Sequence, residues 1–362
     1  MTFISARPTS IPSDNVKNRT LRFPAMRYFQ RGRDALSFGL NAKAIKKGTI
    51  LFPAFFCSNS TSALMKSGFN VDWIDVREDL SFDLDKLLER FDKENIVAIV
   101  VCDFFGWCSS QIQIIIKLAK ERRILVIRDC SHSALSWQYE QTQADLTIFS
   151  FRKTLPIWDG GALIGCGSSV VNKRNYSSIA RNFKREFIRI SERFFCRSEI
   201  INPYQMLDLF LREKQTVLTE NVKIYKEISP SKSFMRWLGD DSALYNIALI
   251  RRENFLFIQE VFKGFGMRSF FPVLGMYDVP QIFPLRVSNA PSLVSFLRSR
   301  GVGATQWPGI ELPSKVLLHR KAFPVTYDLN DSIACLPIHQ DIELSDLKKM
   351  VALVNEWSRL GR

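Results

Sequence analysis

The sequence predicts an α/β protein: a large, mostly parallel sheet covered by helices, followed by a smaller C-terminal α/β unit. Two patterns carry this reading. Short apolar runs rich in Ile, Val, Leu and Phe recur with helical stretches between them, the alternation that makes parallel strands joined by crossover helices. Two of those runs, Ile124 to Arg128 and Leu146 to Phe151, lead into Asp129 and Lys153. Ligands of parallel α/β sheets sit outside the carboxyl ends of the strands, so these two groups would face one crevice. Size agrees, because 362 residues suffice for one large and one small domain, and 46% hydrophobic content makes disorder an unlikely default.

Composition narrows the function classes. The balance of 50 Lys and Arg against 36 Asp and Glu leaves a net charge of +14, a field that draws nucleic acid, anionic membranes or phosphorylated metabolites alike. No zinc-finger spacing or RNP-like aromatic segment accompanies it, so nucleic acid is not the expected partner. The seven cysteines are scattered, with no Cys/His metal spacing, and Cys102, Cys130 and Cys166 fall in or beside apolar runs. They read as small core residues of a reducing cytoplasm, and no metal site is expected. The start of the chain lacks a signal-peptide core, and no run of about twenty apolar residues exists to span a membrane.

Residues 1–26, polar and punctuated by Pro8, Pro12 and Pro24, read as an arm. Ala35, Leu36, Phe38, Leu40 and Ile45 are spaced for a helix that starts near Arg33 and ends at Gly48. Gly32 opens it, which is either an ordinary helix start or a way for backbone N–H groups to approach a phosphate. Strands are then expected at Ile50–Pro53, Val71–Asp75, Ile96–Cys102, the two already named, and Ala162–Cys166. From Asn172 the chain turns basic, and Phe183, Phe187, Ile190 and Phe194 fall at helical spacing among arginines. Such a helix over 173–197 packs by its apolar stripe, or touches phosphate or an anionic membrane; packing is the preferred reading. A long helix over 241–264, a strand in VPQIFPLRV, a helix over 291–300, a strand near Trp307 and a last helix over 343–359 complete the chain. The expected division is an arm, 1–26, a large domain, 27–240, and a small domain, 241–362.

Asp129 and Lys153 suit one cofactor. Pyridoxal phosphate is carried on a lysine as a Schiff base and becomes an electron sink when a carboxylate keeps its ring nitrogen protonated. The segments DCSHS, 129–133, and FSFRKTLPIWDGGAL, 149–163, resemble the DegT/StrS family of pyridoxal-phosphate-dependent sugar aminotransferases. The resemblance runs from about Arg31 to the C-terminus and implies the aspartate-aminotransferase-like fold type I, with helices on both faces of the large sheet. It implies Lys153 and Asp129 as catalytic residues. His132, which could otherwise serve only to satisfy a loop, is implied to bond the phenolic oxygen of the cofactor. Ser150 and the backbone of Gly32, Arg33 and Asp34 are implied to hold its phosphate, although the chain between Ser150 and Lys153 is two residues shorter than in common members. In the turn FPAFFCSNSTSALMKSG, Phe55 or Phe56 is the expected ring-stacking residue, Phe56 the first choice, because Cys57 stands where many members have the aromatic.

Two further departures from the family concern the substrate and the partner subunit's contact to the cofactor phosphate. Asp103 replaces a frequent histidine, and FMRWLGDDS lacks the asparagine that a neighbouring subunit usually contributes, with Asn202 and Asn221 as candidates to replace it. The activity implied is transfer of an amino group, from glutamate, to a keto group of a nucleotide-linked sugar, within a cytoplasmic homodimer whose site is completed across a twofold interface. The alternatives are another sugar-modifying reaction on the same scaffold and a non-catalytic cofactor-binding relative. Lys153 speaks against relatives that dehydrate sugars and lack the lysine, and the presence of both Lys153 and Asp129 speaks against a scaffold without chemistry.

Overall fold

The computed structural model describes residues 26–61, 64–65, 67–137, 144–167, 227–309 and 312–361, together with Ile4, Ser5 and Pro8. The expected basic helix over 173–197, Asn202, Asn221 and nearly all of the arm lie outside the described residues.

In chain order the first unit contains β1 (Arg27–Phe29), α1 (Gly32–Ala42), β2 (Thr49–Pro53), β3 (Asn70–Ile74), α2 (Leu84–Lys93), β4 (Ile96–Cys102), α3 (Ile112–Glu121), β5 (Leu125–Cys130), α4 (Ala134–Trp137), β6 (Leu146–Ser150) and β7 (Gly161–Ile164). They form one seven-stranded sheet, ordered β1-β7-β6-β5-β4-β2-β3. Strands β3, β2, β4, β5 and β6 run parallel, while β7 is antiparallel to β6 and β1 to β7. The sheet is therefore mostly parallel, with an antiparallel edge.

Side-chain alternation divides the core between the two faces. Ile99, Val101 and Val126 pack with Leu87 and Phe91 of α2 and Ile115 and Ala119 of α3. Ala98, Val100, Ile127 and Ile148 point the other way, into the layer that contains Ala35, Leu36 and Leu40 of α1. Gly39 brings α1 onto the sheet, since a Cβ there would stand 3.0 Å from Leu146 and 3.3 Å from Leu163.

The helix opened by Gly32 ends at Ala42, earlier than the expected Gly48. Ala44 adopts a left-handed φ of 49°, which breaks the helix before Ile45. Gly48 serves a different purpose: a Cβ there would lie 2.5 Å from Val97 Cγ1. Strand β5 reaches two residues beyond its expected end and includes Asp129. Lys153 lies one 3-10 turn, Phe151–Lys153, beyond the end of β6.

The second unit follows with α5 (Lys232–Leu238), α6 (Asp241–Gly264), β8 (Ile282–Arg286), α7 (Ala290–Ser299), β9 (Thr305–Gln306), α8 (Ser314–Leu318), α9 (Pro324–Ser332), β10 (Ile333–Pro337) and α10 (Leu344–Arg359). Its three-stranded sheet, β8-β10-β9, is antiparallel. Helix α10 packs on both α6 and α7 beside it. The side chains of Asp240 and Asn289 accept from Ala243 N and Ser292 N, which caps α6 and α7.

Candidate active site

Asp129 arrives on β5 between Cys102 of β4 and Ile148 of β6, its register partners. It follows Ile127 on the face shared with α1, while Arg128 points into the opposite layer. Lys153 is delivered by the turn after β6, which Phe151 anchors in the core by packing on Phe149 and Phe234. Its Nζ lies 2.8 Å from Nε2 of His132.

The imidazole of His132 is only 5% exposed. Phe105 lies parallel to it at 5.9 Å, the edge of Trp307 meets it at 4.7 Å, and the Phe105 N–H donates to Nδ1 at 3.4 Å.

Burial sets the charge state of these groups. It lowers the pKa of the Lys153 ammonium, which Asp129 and then Cys57 partly restore. It raises the Asp129 carboxyl against the pull of Lys153 and of Ser131, whose N–H donates to Oδ1 at 2.8 Å. Burial, and Lys153 after it, holds the pKa of His132 well below the ordinary histidine value. The outcome is an amine that sheds its proton readily, beside a carboxylate and a neutral imidazole, a combination suited to carbonyl capture and proton transfer.

The start of α1 borders the same place. A Cβ at Gly32 would crowd the Phe149 carbonyl at 3.2 Å and meet Ser131 Oγ at 3.4 Å and Ser150 Cβ at 3.5 Å, so the helix begins directly against the ends of β5 and β6. Burial lifts the Asp34 carboxyl to about 6 despite the nearby guanidinium groups of Arg33, Arg31 and Arg152. Asp34 accepts from Arg31 N at 3.1 Å, and Nε of Arg33 is buried without a hydrogen-bond partner. A helix N-terminus ringed by three arginines, one with a buried unused donor, is an anion seat. Ser150, 4% exposed, stands beside it.

The expected residues Lys153, Asp129, His132, Ser150, Gly32, Arg33 and Asp34 thus meet in one region. Phe56, the expected ring-stacking residue, is 3% exposed and packs on Phe52 at 5.2 Å and on Trp307 at 6.4 Å, the residue that also meets His132. From the same turn, Cys57 is near enough to Lys153 to act on its charge. Asp159, read as the acid of the Asp-Gly-Gly segment, accepts from Ser231 N at 2.7 Å and Ser231 Oγ at 2.8 Å, tying the loop after Lys153 to the start of α5.

Two residues near the site escaped the sequence reading. Trp307, beside β9, packs with Phe55, Phe104 and Phe105 next to His132, and no local pattern links it to a loop so distant in the chain. Arg251 of α6 is 1% exposed and donates to the Thr154 carbonyl at 3.1 Å and to Gln281 O at 2.7 Å, bracing the residue after Lys153. Its signal was present: it lies on the apolar stripe Leu244, Ile247, Ala248, Phe255, Ile258, where a solvated arginine would not sit.

Residues 29–176 match the model of the DegT/DnrJ/EryC1/StrS aminotransferase family. The UDP-4-amino-4,6-dideoxy-N-acetyl-beta-L-altrosamine transaminase of Campylobacter jejuni subsp. jejuni serotype O:2 is 35% identical over 148 residues, which cover 38% of this chain and 39% of the relative. Its counterpart from serotype O:23/36 is 36% identical over the same shares. The match thus spans about two fifths of the length of these curated relatives. Among solved structures, Helicobacter pylori PseC, an aminotransferase involved in the biosynthesis of pseudoaminic acid, superposes with a TM-score of 0.66 at 16% identity, covering 98% of this chain and 99% of its own. AtS13 from Actinomadura melliaura gives 0.67 at 15% identity over the same shares. The fold is that of the fold type I sugar aminotransferases. Residues 29–176, the stretch that holds Gly32, Asp129, His132, Ser150 and Lys153, are thus similar to the DegT/DnrJ/EryC1/StrS aminotransferase family.

Proposed function

We propose that the protein is a pyridoxal-phosphate-dependent aminotransferase that moves an amino group from glutamate to the keto group of a nucleotide-linked sugar, for a surface polysaccharide or glycosylated metabolite. The observation that carries this reading is the convergence of Lys153 Nζ, the His132 imidazole and the Asp129 carboxylate beside the glycine-opened start of α1. The buried, unused Nε of Arg33 and the approach of Gly32 to Ser150 fit a phosphate-bearing group. The names of the Campylobacter relatives, transaminases of a UDP-linked amino sugar, support the substrate class.

In this reading Lys153 would hold the cofactor covalently, Asp129 would partner its ring nitrogen, and His132 would bond its phenolic oxygen. Ser150 and the backbone N–H groups of Gly32, Arg33 and Asp34 would hold its phosphate. Bound there, pyridoxal phosphate supplies a carbonyl that exchanges amines and a ring that accepts electrons from the neighbouring carbon. Lys153, as a free amine, would take and return the proton at the substrate carbon that gains the nitrogen, and its lowered pKa favours that form. Asp129, as a carboxylate, keeps a proton on the ring nitrogen through a charge-assisted contact. The packed rings of Phe55, Phe104, Phe105 and Trp307 exclude water from the His132 side.

The same reading makes 27–240 the large cofactor-binding domain and 241–362 the small one, in a cytoplasmic homodimer. No helix among the described residues is long and apolar enough to cross a membrane. The deciding experiment is the visible absorption spectrum of the protein with pyridoxal phosphate, before and after excess glutamate. The lysine-bound band should bleach to the pyridoxamine form. A band that glutamate leaves unmoved removes the proposed donor, and no band at all removes the enzyme reading.

A further inference from the structure

We infer that the buried Asp103–Arg128 pair is a positioning device: it holds the 129–133 turn so that the Phe105 N–H meets His132 Nδ1 and the Nε2–H tautomer faces Lys153. The inference deepens the function proposed above and rests on it. Asp103 follows β4 and, like Arg128, is fully buried. Its Oδ2 accepts from Arg128 Nε at 3.1 Å, Ser133 Oγ at 2.7 Å and Cys130 Sγ at 3.4 Å, with Arg128 Nη2 at an ion-pair distance of 3.0 Å. Oδ1 accepts from Ser109 N at 2.9 Å, and the Asp103 N–H donates to the Asp129 carbonyl at 3.0 Å. One residue thereby grips the chain on both sides of Asp129 and His132 without touching the side chain of either. Buried ion pairs contribute little net stability compared with apolar packing, so the value of this one lies in the geometry it fixes.

That geometry determines where the hydrogen on His132 sits. Phe105 is held at a left-handed φ of 56°, and Gly106 at 114°, where a Cβ would lie 2.3 Å from the Val279 carbonyl. A bulky residue avoids this conformation, and the turn adopts it while presenting the Phe105 N–H to the ring. A donor at Nδ1 needs the lone pair there, so the neutral imidazole carries its hydrogen on Nε2. Nε2–H, 2.8 Å from Lys153 Nζ, then needs the lone pair of the amine. Only the uncharged lysine has one, and that is the form that attacks a carbonyl. Asp103 touches neither lysine nor cofactor and acts through His132.

The test reads the tautomer directly. The chain has three histidines, so imidazole 15N resonances of the full chain, recorded before pyridoxal phosphate is added, are assignable with a His132→Gln control. The parent should show Nε2 protonated and Nδ1 bare at His132. Asp103→Asn/Arg128→Met removes both buried charges together, and Ser133→Ala removes one hydrogen bond while leaving the pair. In either variant the His132 signals should move toward a mixture of tautomers, and borohydride-trapped capture of pyridoxal phosphate at Lys153 should slow roughly tenfold. A parent protonated on Nδ1 overturns the inference. So does a folded double variant, or Ser133→Ala if the double variant does not fold, that keeps both the single tautomer and the parental capture rate. If the parent captures no pyridoxal phosphate at Lys153, the proposed function falls, and the tautomer result still stands or falls by its own signals.

Discussion

Lys153 Nζ and His132 Nε2 lie 2.8 Å apart, and burial lowers the pKa of both groups. Removing the amine should therefore end covalent chemistry without unfolding the chain, because Lys153 closes a short turn that Phe151 anchors from the core side. Lys153→Ala is expected to retain the parental unfolding transition and to lose borohydride-trapped pyridoxal phosphate; capture persisting on another lysine would reassign the site. Asp129→Asn tests the other half of the pair. An amide cannot hold a protonated ring nitrogen as a carboxylate does, so capture should survive while the glutamate half-reaction slows by roughly two orders of magnitude. An unchanged half-reaction would remove Asp129 from the chemistry. The placement of these two residues near strand ends was legible in the sequence because each follows an apolar run, where a sheet exposes its strand ends. A role for Phe56 is not legible in the same way, since burial and ring-stacking call for the same residue type, and Trp307 reaches His132 from a distant part of the chain that only folding brings near.

At the level of elements, periodicity located the parallel strands to within a residue or two and found the last helix. It missed β1, whose three residues are too few to show an alternation, and it gave no direction for β7, because an apolar run reads the same either way. It also placed the end of α1 at Gly48, later than the observed Ala42. Gly161, at the start of β7, decides how close that helix lies: a Cβ there would stand 2.4 Å from both C and O of Arg31, backbone against backbone. Neither side can yield without shifting the start of α1, so Gly161→Ala should cost about 3 kcal/mol. Because the shift falls on Gly32, Arg33 and Asp34, the variant should also bind pyridoxal phosphate more weakly than its loss of stability alone explains. Urea unfolding and cofactor titration on the same samples measure both. Gly264→Ala, at the end of α6, where a Cβ meets nothing within 4 Å and the backbone is helical, is the control. Unchanged cofactor affinity in Gly161→Ala would separate the start of α1 from the phosphate seat.

Across the whole molecule, the two sheets are joined by buried polar contacts as well as by apolar core. Arg251 ties α6 to the turn after Lys153, and Asn254 ties it to the carbonyls of Ile338 and His339. His339, 3% exposed, is hydrogen-bonded to Ser5: its Nε2 is 2.8 Å from the Ser5 carbonyl, and its Nδ1 accepts from Asp341 N at 3.3 Å. Burial lowers its pKa from 6.5 to about 4. The sign of the linkage follows from that depression: below about 6.5 the unfolded chain takes up a proton that the folded chain refuses. His339 therefore contributes fully above that pH, and its contribution falls as the pH drops toward 4. His132 acts in the same direction. Asp34, raised to about 6, acts the opposite way, since the folded chain binds its proton first and gains stability as the pH falls. The net curve mixes these effects, and comparison with a His339→Gln variant isolates one of them. Between about pH 7.5 and pH 5 the parent should lose about 2 kcal/mol more stability than the variant, from the part of the shift titrated in that interval. Urea unfolding at both pH values gives the two slopes, and parallel slopes would mean that His339 takes its proton in the folded protein as readily as in the unfolded chain.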